Sequence, residues 1–222
     1  MRSELKAVLF DLDGVIVDTA KYHYLAWKKL ADIEGIYFDE KINERLKGVS
    51  RDASLEIILE RSKKEYSPEE KEKMTETKNN WYLEMIGQLN PEEVLPGVID
   101  FLRSLQGYGV KSAICSASKS AEFIIAKLGL TDYFDTIVGG NHVSKSKPDP
   151  EVFLLASERL RIHPHDCVVF EDAYAGIEGA NRAEMKALGL GNSSILTNAD
   201  VVYENMKDLT IADVEALFMK GA

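Results

Sequence analysis

The chain has 222 residues, 45% of them hydrophobic and 29% charged, and a formal net charge of -10; this is enough apolar material for one full core and a smaller appended domain. The acidity argues against nucleic acid as a partner, and no apolar run nears the roughly 20 residues that a membrane span requires. Met1-Arg2-Ser3-Glu4 leads straight into a strand without a signal-peptide core, so the expectation is a cytoplasmic protein whose Cys115 and Cys167, each inside an apolar run, are reduced and without chemical function.

Residues 6 to 10, Lys-Ala-Val-Leu-Phe, form a short apolar run ending at Asp11-Leu12-Asp13-Gly14, the pattern of a buried parallel strand that stops at a polar loop. From Asp18 to about Leu89 the chain reads as helical, with Tyr22, Leu25, Ala26, Leu30 and Ile33 on one apolar face. Ser67-Pro68-Glu69-Glu70 supplies an N-cap, a proline at the first helical position and a capping-box glutamate, which predicts a long helix from there to about Gln88. The charged run Lys63-Lys64-Glu65 reads as a solvated face.

After Asn90-Pro91 and Pro96-Gly97 the pattern alternates. Strands are predicted at 110–115, 136–138, 167–170 and 187–190, and helices at 120–128, 150–160 and 174–184. Such alternation predicts an α/β fold, a Rossmann-like doubly wound parallel sheet with helices on both faces. The helical block interrupts it after the first strand. The expected domains are an α/β core of residues 1–14 and 94–222 and an all-helical cap of residues 15–93.

Asp11 and Asp13 lie two residues apart at a strand end, which turns both carboxylates to the same side. Two such anions need cations to accept a phosphoryl group, and a carboxylate can attack phosphorus directly. Glu171-Asp172, at the end of another predicted strand, can complete an oxygen shell with Asp11 and Asp13 for a hard divalent ion, Mg2+. Asp11 is the candidate nucleophile and Asp13 the acid/base, since moving phosphate onto a hydroxyl requires a proton to be taken and returned. Ser116 follows a strand and can donate to a phosphate oxygen, and Lys147, on a stretch stiffened by Pro148 and Pro150, adds a positive charge. Each of these features alone has a plain structural explanation. Four of them, each at the carboxyl end of a predicted strand, converge on one edge of one sheet.

Asp11-Leu12-Asp13-Gly14, Ser116, Lys147-Pro148 and Glu171-Asp172 together resemble the four motifs of the haloacid dehalogenase (HAD) superfamily of phosphotransferases, and the resemblance spans essentially the whole chain. Leu46-Lys47-Gly48-Val49-Ser50-Arg51, Asp18-Thr19-Ala20-x-x-His23, Trp27, Lys78-Asn79 and Ser116-Ala117-Ser118-Lys119 are similar to the β-phosphoglucomutase branch. By this resemblance Lys47, Gly48, Val49, Ser50 and Arg51 bind the distal phosphate and the sugar, and Ala117, Ser118 and Lys119 join them as substrate-binding residues. Thr19 and His23 would lie at a hinge and Lys47 and Lys78 would hold a closed cap, with Trp27 also in the substrate set. From the residues alone, Trp27 reads as core and His23 as one histidine on an amphipathic helix; His142, His163 and His165 read as solvated. Two residues depart from the family pattern. Ser120 stands where asparagine is common, altering one phosphate contact, and Glu184 replaces a glycine on a helix, changing packing only.

The resemblance implies interconversion of β-glucose 1-phosphate and glucose 6-phosphate through β-glucose 1,6-bisphosphate and an aspartyl-phosphate on Asp11. The alternative on the same fold is a Mg-dependent sugar-phosphate phosphatase. A non-catalytic binding protein is a poorer fit, because neither Asp11 nor Asp13 is lost. The expected partners are small sugar phosphates, with no nucleic acid and no membrane, and the expected state is a monomer.

Overall fold

A computed structural model describes residues 4–46 and 49–219. Six strands, β1 (Ala7–Phe10), β2 (Lys111–Cys115), β3 (Thr136–Val138), β4 (Cys167–Glu171), β5 (Lys186–Leu190) and β6 (Val201–Tyr203), form one sheet in the order β3-β2-β1-β4-β5-β6. Every pairing is parallel. This is the doubly wound arrangement expected from the alternation, and its crossover point lies between β1 and β4. All four residues of β1 are buried, as a central strand covered on both faces requires.

The two faces of the sheet follow from the period of two. Ala7 and Leu9 face the same way as Ala113, Cys115, Cys167 and Val169, and they pack against α7 (Glu151–Leu160) and α8 (Tyr174–Arg182). Phe10 points to the other face. Its ring meets Phe101, Phe134 and Phe170 edge-on, at centroid separations of 6.3, 6.0 and 5.0 Å, with Phe101 supplied by α5 (Val98–Tyr108). Both cysteines are buried free thiols, and burial pushes them up, Cys167 to about 12. They are inert core residues.

The chain divides into two compact units, residues 1–18 with 90–222, and residues 19–89. Each junction lies four residues inside the expected limits of 15 and 93. The reason is local: the turn after β1 belongs to the sheet unit. Gly14 N–H donates to the Val17 carbonyl at 2.8 Å, Val17 bridges to Val94, and Leu95 N–H donates to Ile16 at 2.9 Å. Val15, Ile16 and Val17 are buried as well.

The helical unit comprises α1 (Ala20–Ile33), α2 (Glu40–Asn43), α3 (Arg51–Leu59) and α4 (Pro68–Ile86). α4 starts as predicted, with the Ser67 hydroxyl accepting from Glu70 N–H and the Glu70 carboxylate accepting from Ser67 N–H. Its core gathers Trp27, Leu30, Ile36, Phe38, Leu55, Ile58 and Met74. The expected apolar face of α1 is set wrongly by part of a turn: Leu25 is 50% exposed and Ile33 64%, while Ala26, Trp27, Leu30 and Ala31 face inward. Lys63, Lys64 and Glu65 are exposed, as expected.

Glu184 is also not where the sequence reading puts it. α8 ends at Arg182, and Glu184 adopts φ 59° in the turn that follows. That is the left-handed conformation, which costs a side-chain-bearing residue about 1 kcal/mol or more and glycine nothing. Its ion pair with His165, 3.2 Å on the surface, returns little. Glu184→Gly is therefore expected to stabilise the protein by about 1 kcal/mol, read as a higher urea midpoint at unchanged m; an unchanged or lower midpoint refutes it.

Candidate active site

The carboxyl ends of β1, β2 and β4 bring Asp11, Ser116, Glu171 and Asp172 to one edge of the sheet, and the segment between β3 and α7 adds Lys147. Asp11 N–H donates to the Phe170 carbonyl at 2.9 Å, which ties the end of β1 to β4. Asp11, Glu171 and Asp172 each present a carboxylate oxygen, all within 4.8 Å of one another. Two glycines allow this. A Cβ on Gly14, at φ 79°, would sit 2.2 Å from the Asp172 Oδ2, and one on Gly176 would sit 1.9 Å from the Glu171 carboxyl carbon.

Lys147 is 8% exposed. Its Nζ donates to Asp11 Oδ1 at 2.5 Å, to the Cys115 carbonyl at 2.9 Å and to the Glu171 carboxylate. Burial alone would lower the lysine, but the charges of Asp11 and Glu171 outweigh it and hold the ammonium protonated. Burial pushes Glu171 upward, against the pull of Lys147. One buried cation thus contacts two of the three clustered carboxylates, Asp11 and Glu171. Three carboxylate oxygens this close together would suit a hard divalent cation, which takes oxygen ligands. The Asp13 side chain is not part of this carboxylate group.

Asp13 has a different character. Its Oδ1 is buried and has no hydrogen-bond partner. Burial, then the charges of Asp11 and Asp172, raise it well above the usual carboxylate range. A carboxyl group that holds its proton is what a general acid needs at the start of a phosphoryl transfer.

Ser116 is buried at 1% exposure, and its Oγ accepts from Ser118 N–H at 3.0 Å. The Ser118 Oγ in turn accepts from Ser120 N–H at 3.1 Å. These turns use two of the backbone donors near the start of α6 (Ala121–Lys127), while Ala117 and Lys119 are exposed. Ser120 makes no side-chain cap on α6. His142 is not merely solvated: its Nδ1 accepts from Gly139 N–H at 3.0 Å. His163 and His165 stack on each other at 5.0 Å, with the His163 Nδ1 accepting from His165 N–H at 3.3 Å.

In the helical unit, the Arg51 Nη2 donates to Asn79 Oδ1 at 2.6 Å and the Lys78 Nζ to the His23 Nδ1 at 2.8 Å. Lys78 is 2% exposed and lies over the rings of Trp27 and Tyr82 at 4.7 and 5.0 Å. Trp27, 3% exposed, packs in the core of the helical unit under Lys78. Tyr82, which stacks on His23 at 4.0 Å, was not among the expected site residues; its position four residues after Lys78 was the available signal. The buried Thr19 Oγ1 has no partner. Ser50 spends its hydroxyl capping α3, accepting from Ala53 N–H at 3.3 Å, next to a half-buried Val49. Lys47 and Gly48 lie outside the described residues.

His23 carries a pH dependence. Burial first, then the charges of Lys78 and Arg51, hold its imidazole well below the ordinary histidine range. The unfolded chain takes up this proton near pH 6.5 and the folded chain only at lower pH, so the stability is complete above about 6.5 and is lost as pH falls towards the folded value. Going from pH 7.5 to 5.5 should cost on the order of 1 kcal/mol through this residue. His23→Gln should remove that part of the acid-side loss in urea titrations; an unchanged slope counts against it.

A family-wide profile described as haloacid dehalogenase-like hydrolase matches residues 5–184. The chain is 43% identical over 209 residues to a β-phosphoglucomutase from Bacillus subtilis (strain 168), covering 93% of this chain and 92% of that protein. It is 32% identical over 187 residues to a phosphorylated carbohydrates phosphatase from Thermotoga maritima, covering 83% and 84%. The crystal structure of a β-phosphoglucomutase from Clostridium difficile superposes with a TM-score of 0.92 at 40% identity, covering 97% of this chain and 98% of that one. No helix among the described residues is long and apolar enough to cross a membrane.

Proposed function

Because the chain belongs to the haloacid dehalogenase-like hydrolase family, we propose that it is a β-phosphoglucomutase, interconverting β-glucose 1-phosphate and glucose 6-phosphate through a β-glucose 1,6-bisphosphate intermediate. The 43% identity to a β-phosphoglucomutase along nearly the whole chain carries this reading. The phosphatase alternative rests on a more distant relative, at 32%.

In this reading Asp11 attacks phosphorus and carries the phosphoryl group. Its ion pair with Lys147 holds one oxygen, leaving the other for the attack. Asp13, whose carboxyl holds its proton, gives that proton to the departing oxygen and takes one from the sugar hydroxyl on return. The Ser116 hydroxyl, already accepting from Ser118 N–H, directs its own proton to a phosphate oxygen. Mg2+ held by Asp11, Glu171 and Asp172 would supply charge neutralisation for the transferring phosphoryl group. In the helical unit, Lys47, Gly48, Val49, Ser50 and Arg51 take the sugar and its second phosphate, and Lys78 with His23 and Thr19 supports that grip. The substrate is a small sugar phosphate and the working unit is a monomer in the cytoplasm.

Phosphorus NMR of the protein with Mg2+, β-glucose 1-phosphate and a trace of glucose 1,6-bisphosphate tests this reading. Glucose 6-phosphate accumulating with little free phosphate supports the mutase; free phosphate as the main product replaces it with the phosphatase. Arg51→Ala separates the two chemistries. Loss of a charge-assisted phosphate contact should cut mutase turnover by roughly 10- to 100-fold, while hydrolysis of a small phosphate ester changes by about twofold or less. Equal loss of both would sink this division of labour.

A further inference from the structure

Lys147 must reach a narrow place, between Asp11, Glu171 and the Cys115 carbonyl, from a segment whose flanking residues Ser144, Lys145 and Ser146 are exposed. Pro148 and Pro150 fix two backbone angles after the lysine. They leave the path before it free.

That path is set by one carboxylate. Glu151, the first residue of α7, accepts from Ser144 N–H at 3.0 Å, from the Ser144 hydroxyl at 3.0 Å and from Lys145 N–H at 2.8 Å. A carboxylate in the first turn of a helix ordinarily serves that helix's own free N–H groups. This one reaches six and seven residues back along the chain. Within the ring it closes, Asp149 N–H donates to the Ser146 carbonyl at 3.0 Å, Glu151 N–H donates to Asp149 Oδ1 at 3.1 Å, and the Lys145 ammonium lies 3.4 Å from Asp149 Oδ2. Lys147 sits at the middle of the ring. The three donors also hold the Glu151 carboxyl below its usual range, so the clamp is ionised throughout the neutral region.

We propose that Glu151 is a positioning residue for Lys147, closing the 144–151 loop so that the ammonium is delivered between Asp11 and Glu171. Glu151 touches none of these groups itself. It acts through the backbone. The inference rests on the phosphoryl-transfer reading of the Asp11 cluster and is indifferent to whether the acceptor is a sugar or water.

The test compares wild type with Glu151→Ala, Glu151→Gln and Glu151→Asp in two reactions, conversion of β-glucose 1-phosphate and hydrolysis of p-nitrophenyl phosphate, both with Mg2+, alongside melting temperatures. Misplacing a catalytic group by about 1 Å costs up to about 100-fold, so Glu151→Ala is expected to lower kcat on the order of 10- to 100-fold in both reactions, with KM within about threefold. The freed donors are exposed and turn to water, so the melting temperature should move by only a few degrees. Glu151→Gln keeps one acceptor oxygen for three donors and should fall between, while Glu151→Asp recovers most of kcat. A kcat within about twofold of wild type overturns the proposal. So does a loss confined to KM, or one that follows the melting temperature and is not rescued by aspartate. Should wild type release only free phosphate, the mutase reading fails and the ester-hydrolysis kcat still decides on Glu151.

Discussion

Asp11→Asn is expected to abolish turnover of β-glucose 1-phosphate and of simple phosphate esters alike, by about 10,000-fold or more, while leaving the fold intact. The size follows from the role: a neutral amide oxygen is a poor nucleophile toward phosphorus, and loss of a covalent nucleophile removes the whole route instead of slowing one step of it. The fold survives because Asn keeps the shape of Asp11 and its backbone bond to Phe170. Asp13→Asn should be milder, about 100- to 10,000-fold, the range a positioned proton donor contributes. Rapid-quench assays for phosphorylated protein distinguish them: the Asp11 variant should show none, and the Asp13 variant a slow burst. A phosphorylated Asp11→Asn protein would move the nucleophile elsewhere.

Lys147→Ala should damage both chemistry and stability. Removing the ammonium leaves Asp11 and Glu171 facing each other in a buried site, with the Cys115 carbonyl unpaired. Breaking a buried pair by removing one partner costs about 3–5 kcal/mol. The pH dependence has a definite sign. Without the cation the Glu171 carboxyl, already raised by burial, rises further above its unfolded value, so the penalty is greatest at high pH and shrinks as pH falls and Glu171 takes a proton. A divalent cation binding only the folded protein should restore part of the loss by mass action. Urea titrations in EDTA and in millimolar Mg2+, at pH 6 and 8, check both statements, and activity should fall by about 1,000-fold or more. A variant as stable as wild type in EDTA at pH 8 would show that the carboxylates do not depend on Lys147.

The sheet and the edge that carries the chemistry were legible because their signals are local and mutually consistent. Apolar runs ending in Asp11, Cys115 and Phe170 read as strands because a buried parallel strand has no polar face to confuse the pattern. α4 was legible from four residues, since Ser67, Pro68 and Glu70 each satisfy a distinct requirement of a helix start. α5 was missed although Val98, Phe101, Leu102 and Leu105 repeat at helical spacing and all are buried. β6 and α9 (Ile211–Met219) were missed for a better reason: β6 is a three-residue edge strand, half-buried throughout, whose pairing with β5 is a tertiary event. The face of α1 was misjudged because Leu25 and Ile33 remain exposed, and exposure of single apolar residues is common. Glu184 needed a backbone angle that no pattern of side chains reveals. The clamp by Glu151 was hidden in the same way, since its partners are amides, which every residue possesses.

The position of β1 bears on how the chain acquires its structure during synthesis. β1, made before the other five strands, occupies the middle of the sheet, and its neighbours are residues 111–114 on one side and 167–170 on the other. One edge of Ala7–Phe10 must wait for residues 111–114 and the other for residues 167–170, and until the second pairing it is an apolar segment with at least one open edge, a species prone to aggregate. The helical segment between residues 19 and 89 closes its core from contacts made within itself, so it can form while the strand still waits.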